Sequence, residues 1–170
     1  MVLLIAGPSH TGKTALAHKL VSRYGYPCLS IDHLKMGLIR SGHTALTPLS
    51  PDADLTAYLW PIVREMVKTA IENRQNLIVE GCYIPFDWQN DFSAPYLEQI
   101  RYRCLVMSEH YIRTHFDQIL AYANIIEHRL CDDCDQTQLL QDNAHALAQV
   151  RAMGLPYLLI HEQYPENSDF

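Results

Sequence analysis

Gly7-Pro-Ser-His-Thr-Gly-Lys-Thr14 places glycine, glycine, lysine and threonine at the spacing G-x-x-x-x-G-K-[ST], and the residues on either side complete its meaning. Val2-Leu-Leu-Ile-Ala6 is a short apolar run that reads as a buried strand, and Ala15-Leu-Ala-His-Lys-Leu-Val21 continues with helical spacing. A strand, a glycine-rich turn and a helix in that order form a phosphate-binding loop. Backbone N–H groups of the loop and the helix start point at an anion, Lys13 reaches the outer phosphates, and the Thr14 hydroxyl suits Mg²⁺. The stretch predicts nucleoside triphosphate binding by Gly7, Pro8, Ser9, His10, Thr11, Gly12, Lys13, Thr14 and Ala15.

Four more apolar runs follow: Tyr26 to Ser30, Asn76 to Glu80, Tyr102 to Met107 and Pro156 to Ile160. Their near-continuous apolarity predicts parallel strands covered on both faces, alternating with helices in an α/β chain. Between the second and third runs, Leu55, Leu59, Ile62, Val63, Met66 and Ala70 make a helical stripe over Asp54 to Asn73, with Pro61 predicting a kink or a fresh helix start. The polar stretch from Glu109 to Gly154 is longer than a crossover helix needs, which predicts a lid or a helical pair beside the sheet.

Composition sets the bounds. The 170 residues suit one domain with a substantial core, and 48% hydrophobic against 19% charged residues is ordinary for a globular chain. The formal charge of −6 argues against a broadly nucleic-acid-binding surface. The first apolar run is too short for a membrane span or signal peptide, so a cytoplasmic protein is expected. Five scattered cysteines, Cys28, Cys82, Cys104, Cys131 and Cys134, read as buried reduced thiols. Cys131-Asp-Asp-Cys134 with His128 has zinc-like spacing but lacks a second ligand pair, and a polar helix connection is the simpler reading.

In an open parallel sheet, ligands bind beyond the carboxyl ends of the strands. Besides the phosphate loop, two acidic residues stand at such positions: Asp32, just past the second run, and Glu80, closing the third in Glu80-Gly81. Asp32 suits orientation or deprotonation of an acceptor hydroxyl, or alternatively a helix N-cap for His33 to Arg40. Glu80 suits a magnesium-bound water, an acceptor group or a structural hydrogen bond. Lys35 and Arg40 read as solvated charges or as contacts to an anionic acceptor. Trp60 and Tyr58 read as core packing more readily than as a platform for an acceptor ring.

The phosphate loop, the strand-end Asp32 with its helix running to Ser41-Gly42, and Glu80-Gly81 resemble the small-molecule and nucleoside monophosphate kinase branch of P-loop proteins. That group includes shikimate kinase-like, chloramphenicol phosphotransferase-like and zeta toxin-like enzymes. The resemblance implies an α/β P-loop NTPase fold over residues 1–170, with a five-stranded parallel sheet of order 2-3-1-4-5 between helices. It implies an acceptor-binding region over residues 33–60 and a helical lid over residues 109–153, for which Arg113 and Arg129 are the best-placed cations, each alternatively a solvated helix-face charge. Two departures stand out: relatives more often carry Asp where Glu80 stands, and shikimate kinase-like chains often carry another Asp where Ser30 stands, which argues against a shikimate-type acceptor.

The expected activity is therefore ATP- and Mg²⁺-dependent phosphoryl transfer to a small molecule. Lys13, Asp32, Arg113 and Arg129 are the expected catalytic residues, with Thr14 and Glu80 at the metal. The alternatives are an NTPase without a separate acceptor and a nucleotide-responsive binding module. A GTPase is disfavoured, because Met107-Ser108-Glu109-His110 stands where an N-K-x-D signature belongs.

Overall fold

The computed structural model describes residues 1–126 and 134–164. Five parallel strands, β1 (Val2–Ala6), β2 (Cys28–Ser30), β3 (Leu77–Glu80), β4 (Ile100–Met107) and β5 (Tyr157–Ile160), form one sheet in the order β2-β3-β1-β4-β5. Helices α1 (Lys13–Tyr24), α2 (Ile31–Arg40), α3 (Asp52–Glu72), α4 (Ala94–Leu97), α5 (Glu109–Ile126) and α6 (Gln136–Ala152) connect them. This is the sheet order that the resemblance implies.

The uninterrupted apolarity of β1 follows from its central place. Val2, Leu4 and Ala6 point to one face and pack with Leu59, Val63 and Val67 of α3 and with Ala146 and Val150 of α6. Leu3 and Ile5 point to the other and pack with Leu16, Ala17 and Leu20 of α1. At about 25 cal/mol per Å² of apolar surface removed from water, two such layers are the main stabilising term of the sheet. A third cluster, built on Met107, Ile112, Ile119, Leu139 and Ile160, joins α5 and α6 to the end of the sheet. The helical pair expected after the fourth strand is present, and α5 breaks its helical geometry at His115, whose φ is −123 and ψ 20.

Several sequence expectations are corrected. The edge strands are not covered on both faces: Cys28 is exposed in β2, and Tyr157 and Leu159 are exposed in β5. The cysteines are not uniformly buried either: Cys28, in the edge strand β2, is exposed, Cys82 and Cys134 are half-buried, and only Cys104 is buried among the described residues. Strand β4 starts two residues early, at Ile100, because it alternates there and sends Arg101 to solvent before becoming fully buried. Pro61 starts no new helix, and α3 runs through it. Both Pro61 and Ala57, whose carbonyl loses its helical donor, lie on the solvent face, where water can satisfy that carbonyl.

No helix among the described residues is long and apolar enough to cross a membrane.

Candidate functional site

The strand register assembles the site. Glu80 lies beside Ile5 of β1 on one side and Ser30 of β2 on the other, so three neighbouring strands end in one row. The chain leaves that row as the loop starting at Gly7, as α2 carrying Asp32, and as the turn Gly81-Cys82-Tyr83. Three segments far apart in sequence meet at one edge, the place where an open parallel sheet binds its ligand.

The loop has the backbone of an anion cradle. Gly7 and Gly12 have φ values of 136 and 80, conformations open chiefly to glycine, and His10 also sits in the left-handed region. Gly12 caps the N-terminus of α1, where the first N–H groups have no partner within the helix. Lys13 is only 6% exposed and its ammonium donates to the Pro8 carbonyl at 2.7 Å. Thr11 donates to the same carbonyl at 2.9 Å. The lysine is thus held against its own loop by a bond that a phosphate oxygen can replace.

Thr14 and Glu80, paired in the sequence reading as the metal residues, are brought into contact. The Thr14 hydroxyl donates to Glu80 Oε2 at 3.3 Å, and Glu80 is 1% exposed. A hydroxyl and a buried carboxylate at the mouth of an anion cradle are a hard-oxygen set that fits Mg²⁺, directly or through water, when a polyphosphate is present. Gly81 is needed beside it for space: a Cβ there would lie 2.8 Å from Ile31 Cβ. The same turn touches the loop, with Cys82 Sγ 3.6 Å from Ser9 Oγ.

Asp32 is not a helix N-cap. Helix α2 begins at Ile31 with Ser30 in the cap position, so Asp32 falls in the first turn, where the helix dipole favours a carboxylate. Its Oδ1 accepts from the Lys35 ammonium at 2.6 Å, and that ammonium also donates to the Tyr83 hydroxyl at 2.9 Å. Lys35, which the sequence offered as a solvated charge or a contact to an anionic acceptor, is held at Asp32.

Asp52, which sequence reasoning missed, joins it from the start of α3. Crowding by protein raises its carboxyl above the ordinary range, and the nearby Asp142 and Asp32 raise it further against the opposing pull of Lys35 and Lys13. Its neighbours in that field come from three elements, α1, α2 and α6, so they are apparent only once the chain is folded.

The remaining candidates divide. Arg113, on the first turns of α5, is 57% exposed and bonds Glu109 at 2.9 Å in an i,i+4 pair, the ordinary arrangement of a solvated helix face. Arg129 lies outside the described residues, as do His128, Cys131, Asp132 and Asp133. Cys134 Sγ lies 3.8 Å from His10 Nδ1. Among the described residues no group of three metal-ligating side chains is present. Trp60 is core, donating from its indole to Asp91 at 2.6 Å, and Tyr58 donates to the His43 carbonyl. Tyr164, past β5, donates to the Gly12 carbonyl at 3.0 Å and so lies against the loop.

No family model and no curated protein matches the sequence. Solved structures do. A candidate kinase from Chloroflexus aurantiacus superimposes with a TM-score of 0.57 at 20% identity, over 99% of this chain and 91% of that one. A gluconokinase from Sinorhizobium meliloti gives 0.53 at 15%, over 96% and 83%. A shikimate kinase from Bacteroides thetaiotaomicron gives 0.54 at 14%, over 98% and 89%. At these identities the likeness shows the fold, that of the P-loop kinases.

Proposed function

We propose that this chain is a Mg·ATP-dependent phosphotransferase that moves the γ-phosphoryl group to a hydroxyl of a small molecule. The observation that carries the reading is the single row of strand ends that sets the glycine-lysine loop, the Thr14–Glu80 contact and the Asp32 carboxylate side by side. The fold shared with a gluconokinase and a shikimate kinase supports it.

Phosphoryl transfer asks little covalent chemistry of a protein, which must hold donor and acceptor in line, neutralise charge on the moving group and exclude water. The loop amides and Lys13 bind and orient the phosphates. Thr14 and Glu80 would hold Mg²⁺, which supplies charge neutralisation between the outer phosphates. Asp32 accepts a hydrogen bond from the acceptor hydroxyl and fixes the direction of its lone pair. In this reading residues 33–60 serve the acceptor side and residues 109–153 the covering side; Arg113 reaches the transferred group only by giving up its exposed pairing with Glu109, and Arg129 is the second proposed cation.

Incubation with Mg·ATP and pooled metabolites, followed by mass spectrometry for a product heavier by one phosphate, tests the activity directly. Acceptor-independent ADP release at an unchanged rate would assign an NTPase instead, and nucleotide binding without turnover a regulatory module. Two substitutions sharpen the result. Asp32→Asn is expected to lower kcat about 10²-fold, the scale of a positioned acid–base group, with ATP binding retained in calorimetric titration. Glu80→Gln is expected to raise the Mg²⁺ concentration for half-maximal rate about tenfold, because residues that orient a metal's ligands typically contribute that much to its affinity. An unchanged Mg²⁺ requirement would leave Glu80 a structural residue.

A further inference from the structure

Transfer as described uses Asp32 but gives no task to Lys35, which holds it, or to Tyr83, which accepts from Lys35. Lys35, on α2, donates to one oxygen of Asp32 and also to the hydroxyl of Tyr83, which lies 48 residues away past β3. Isolated i,i+3 ion pairs on helix surfaces are worth little, because holding two long side chains costs entropy in water. This pair differs. The Lys35 side chain is only 12% exposed, its ammonium lies 4.9 Å from the centre of the Tyr83 ring, and Tyr83 is itself buried. The stem, ring and hydroxyl leave the ammonium one place to go.

Neither partner is built to exchange protons. Burial opposes the charge on Lys35 most strongly, yet the Asp32 carboxylate and the Tyr83 hydroxyl together outweigh it and raise its pKa. Burial pushes the Tyr83 phenol up to about 12, against the pull of Lys35. The ammonium is also engaged twice already, which makes it a poor receptor for an anionic acceptor. Asp32, for its part, spends Oδ1 on Lys35, and its second oxygen accepts no hydrogen bond from the described residues.

We propose that Lys35, braced by Tyr83, is the positioning residue of the transfer site: it locks the Asp32 carboxylate through one oxygen, leaves the other to the acceptor hydroxyl, and does not itself bind the acceptor. This rests on the kinase reading of the cleft. It assigns a site role to a residue that the sequence offered only as a surface charge or an anion contact.

The test is a double-mutant cycle on the full chain with Mg·ATP and the acceptor identified by product mass. Lys35→Met is expected to lower kcat roughly 10- to 100-fold, the scale of a misplaced reacting group, with KM for ATP unchanged. In the Asp32→Asn background the same substitution is expected to cost less than about threefold, because a residue acting through Asp32 has nothing left to hold. Lys35→Arg, which can also donate to both partners, is expected to restore at least about half of the lost activity on a logarithmic scale. Equal losses in the two backgrounds overturn the proposal, as does a raised acceptor KM at unchanged kcat, which would make Lys35 a direct acceptor ligand. Should Lys35→Met fail to fold, Tyr83→Phe carries the same cycle, with an expected loss of about three- to tenfold in kcat that vanishes in the Asp32→Asn background. Failure of the kinase reading is a separate outcome, seen as a wild-type chain that binds Mg·ATP and forms no phosphorylated product.

Discussion

Lys13→Met is expected to lower kcat/KM by about 10³-fold or more while leaving the chain folded, since one preorganised donor aimed at developing charge commonly contributes 10²–10³ and this one also binds the ground-state phosphates. The structural reason is the position of the ammonium. It is almost wholly buried, and its hydrogen bond is to the Pro8 carbonyl within the loop itself. Methionine keeps the length of the stem and removes the charge, so the helix start and its packing are retained. Steady-state ADP formation measures the rate, calorimetric titration with Mg·ATP measures the binding, and thermal unfolding is expected to stay within about 3 °C of the parent, the size of a 1 kcal/mol change. Turnover within tenfold of the parent would remove the loop lysine from the phosphate site and with it the basis for the proposed function.

Gly7→Ala is expected to have the largest effect on stability. A Cβ at this position would lie 2.3 Å from the Leu105 carbonyl oxygen and 3.1 Å from its nitrogen, and the φ of 136 is strained for any residue with a side chain. Leu105 cannot yield, because it is fully buried in β4, which is paired on both sides, to β1 and to β5. Relief must come from moving the loop, which costs roughly 3–5 kcal/mol by the scale of overpacking combined with backbone strain and lowers the melting temperature by about 10 °C. Gly12→Ala serves as the comparison. Its Cβ would meet the Tyr164 hydroxyl at 2.5 Å, the far end of a side chain that can turn away, so the expected loss is smaller. A Gly7→Ala chain that melts with the parent would show that the loop does not press on β4.

The phosphate loop was legible because everything that makes it is local: the strand, the turn and the helix are consecutive, and glycine and lysine at fixed spacing have few other uses. The strand ends at Asp32 and Glu80 were legible for a related reason, since apolar runs that stop at a carboxylate mark the rim of a parallel sheet. What escaped was set by distance along the chain. Lys35 looks solvated until Tyr83 arrives from beyond β3, and Asp52 gains the company of Asp142, Asp32, Lys35 and Lys13 only when the chain folds. Pro61 starts no fresh helix because the penalty it signals depends on which side of the helix faces water. Arg101 hid the beginning of β4 because one outward charge breaks an apolar run without breaking a strand. Arg113 shows the converse, a residue whose position in sequence suggests a lid and whose bond to Glu109 is that of an ordinary helix surface.

The sheet order divides the labour between a stiff half and a pliant one. The loop hangs from β1, bonded on both sides at the middle of the sheet, whereas Asp32 hangs from β2, three residues long and bonded to β3 alone. Amide exchange should accordingly be slowest in β1, from which the loop hangs, and fastest in β2 and the start of α2, where unpaired backbone faces water. Under the proposed function, the acceptor side is open to change through the edge strand and the residues it launches, with the side proposed to grip the polyphosphate left undisturbed.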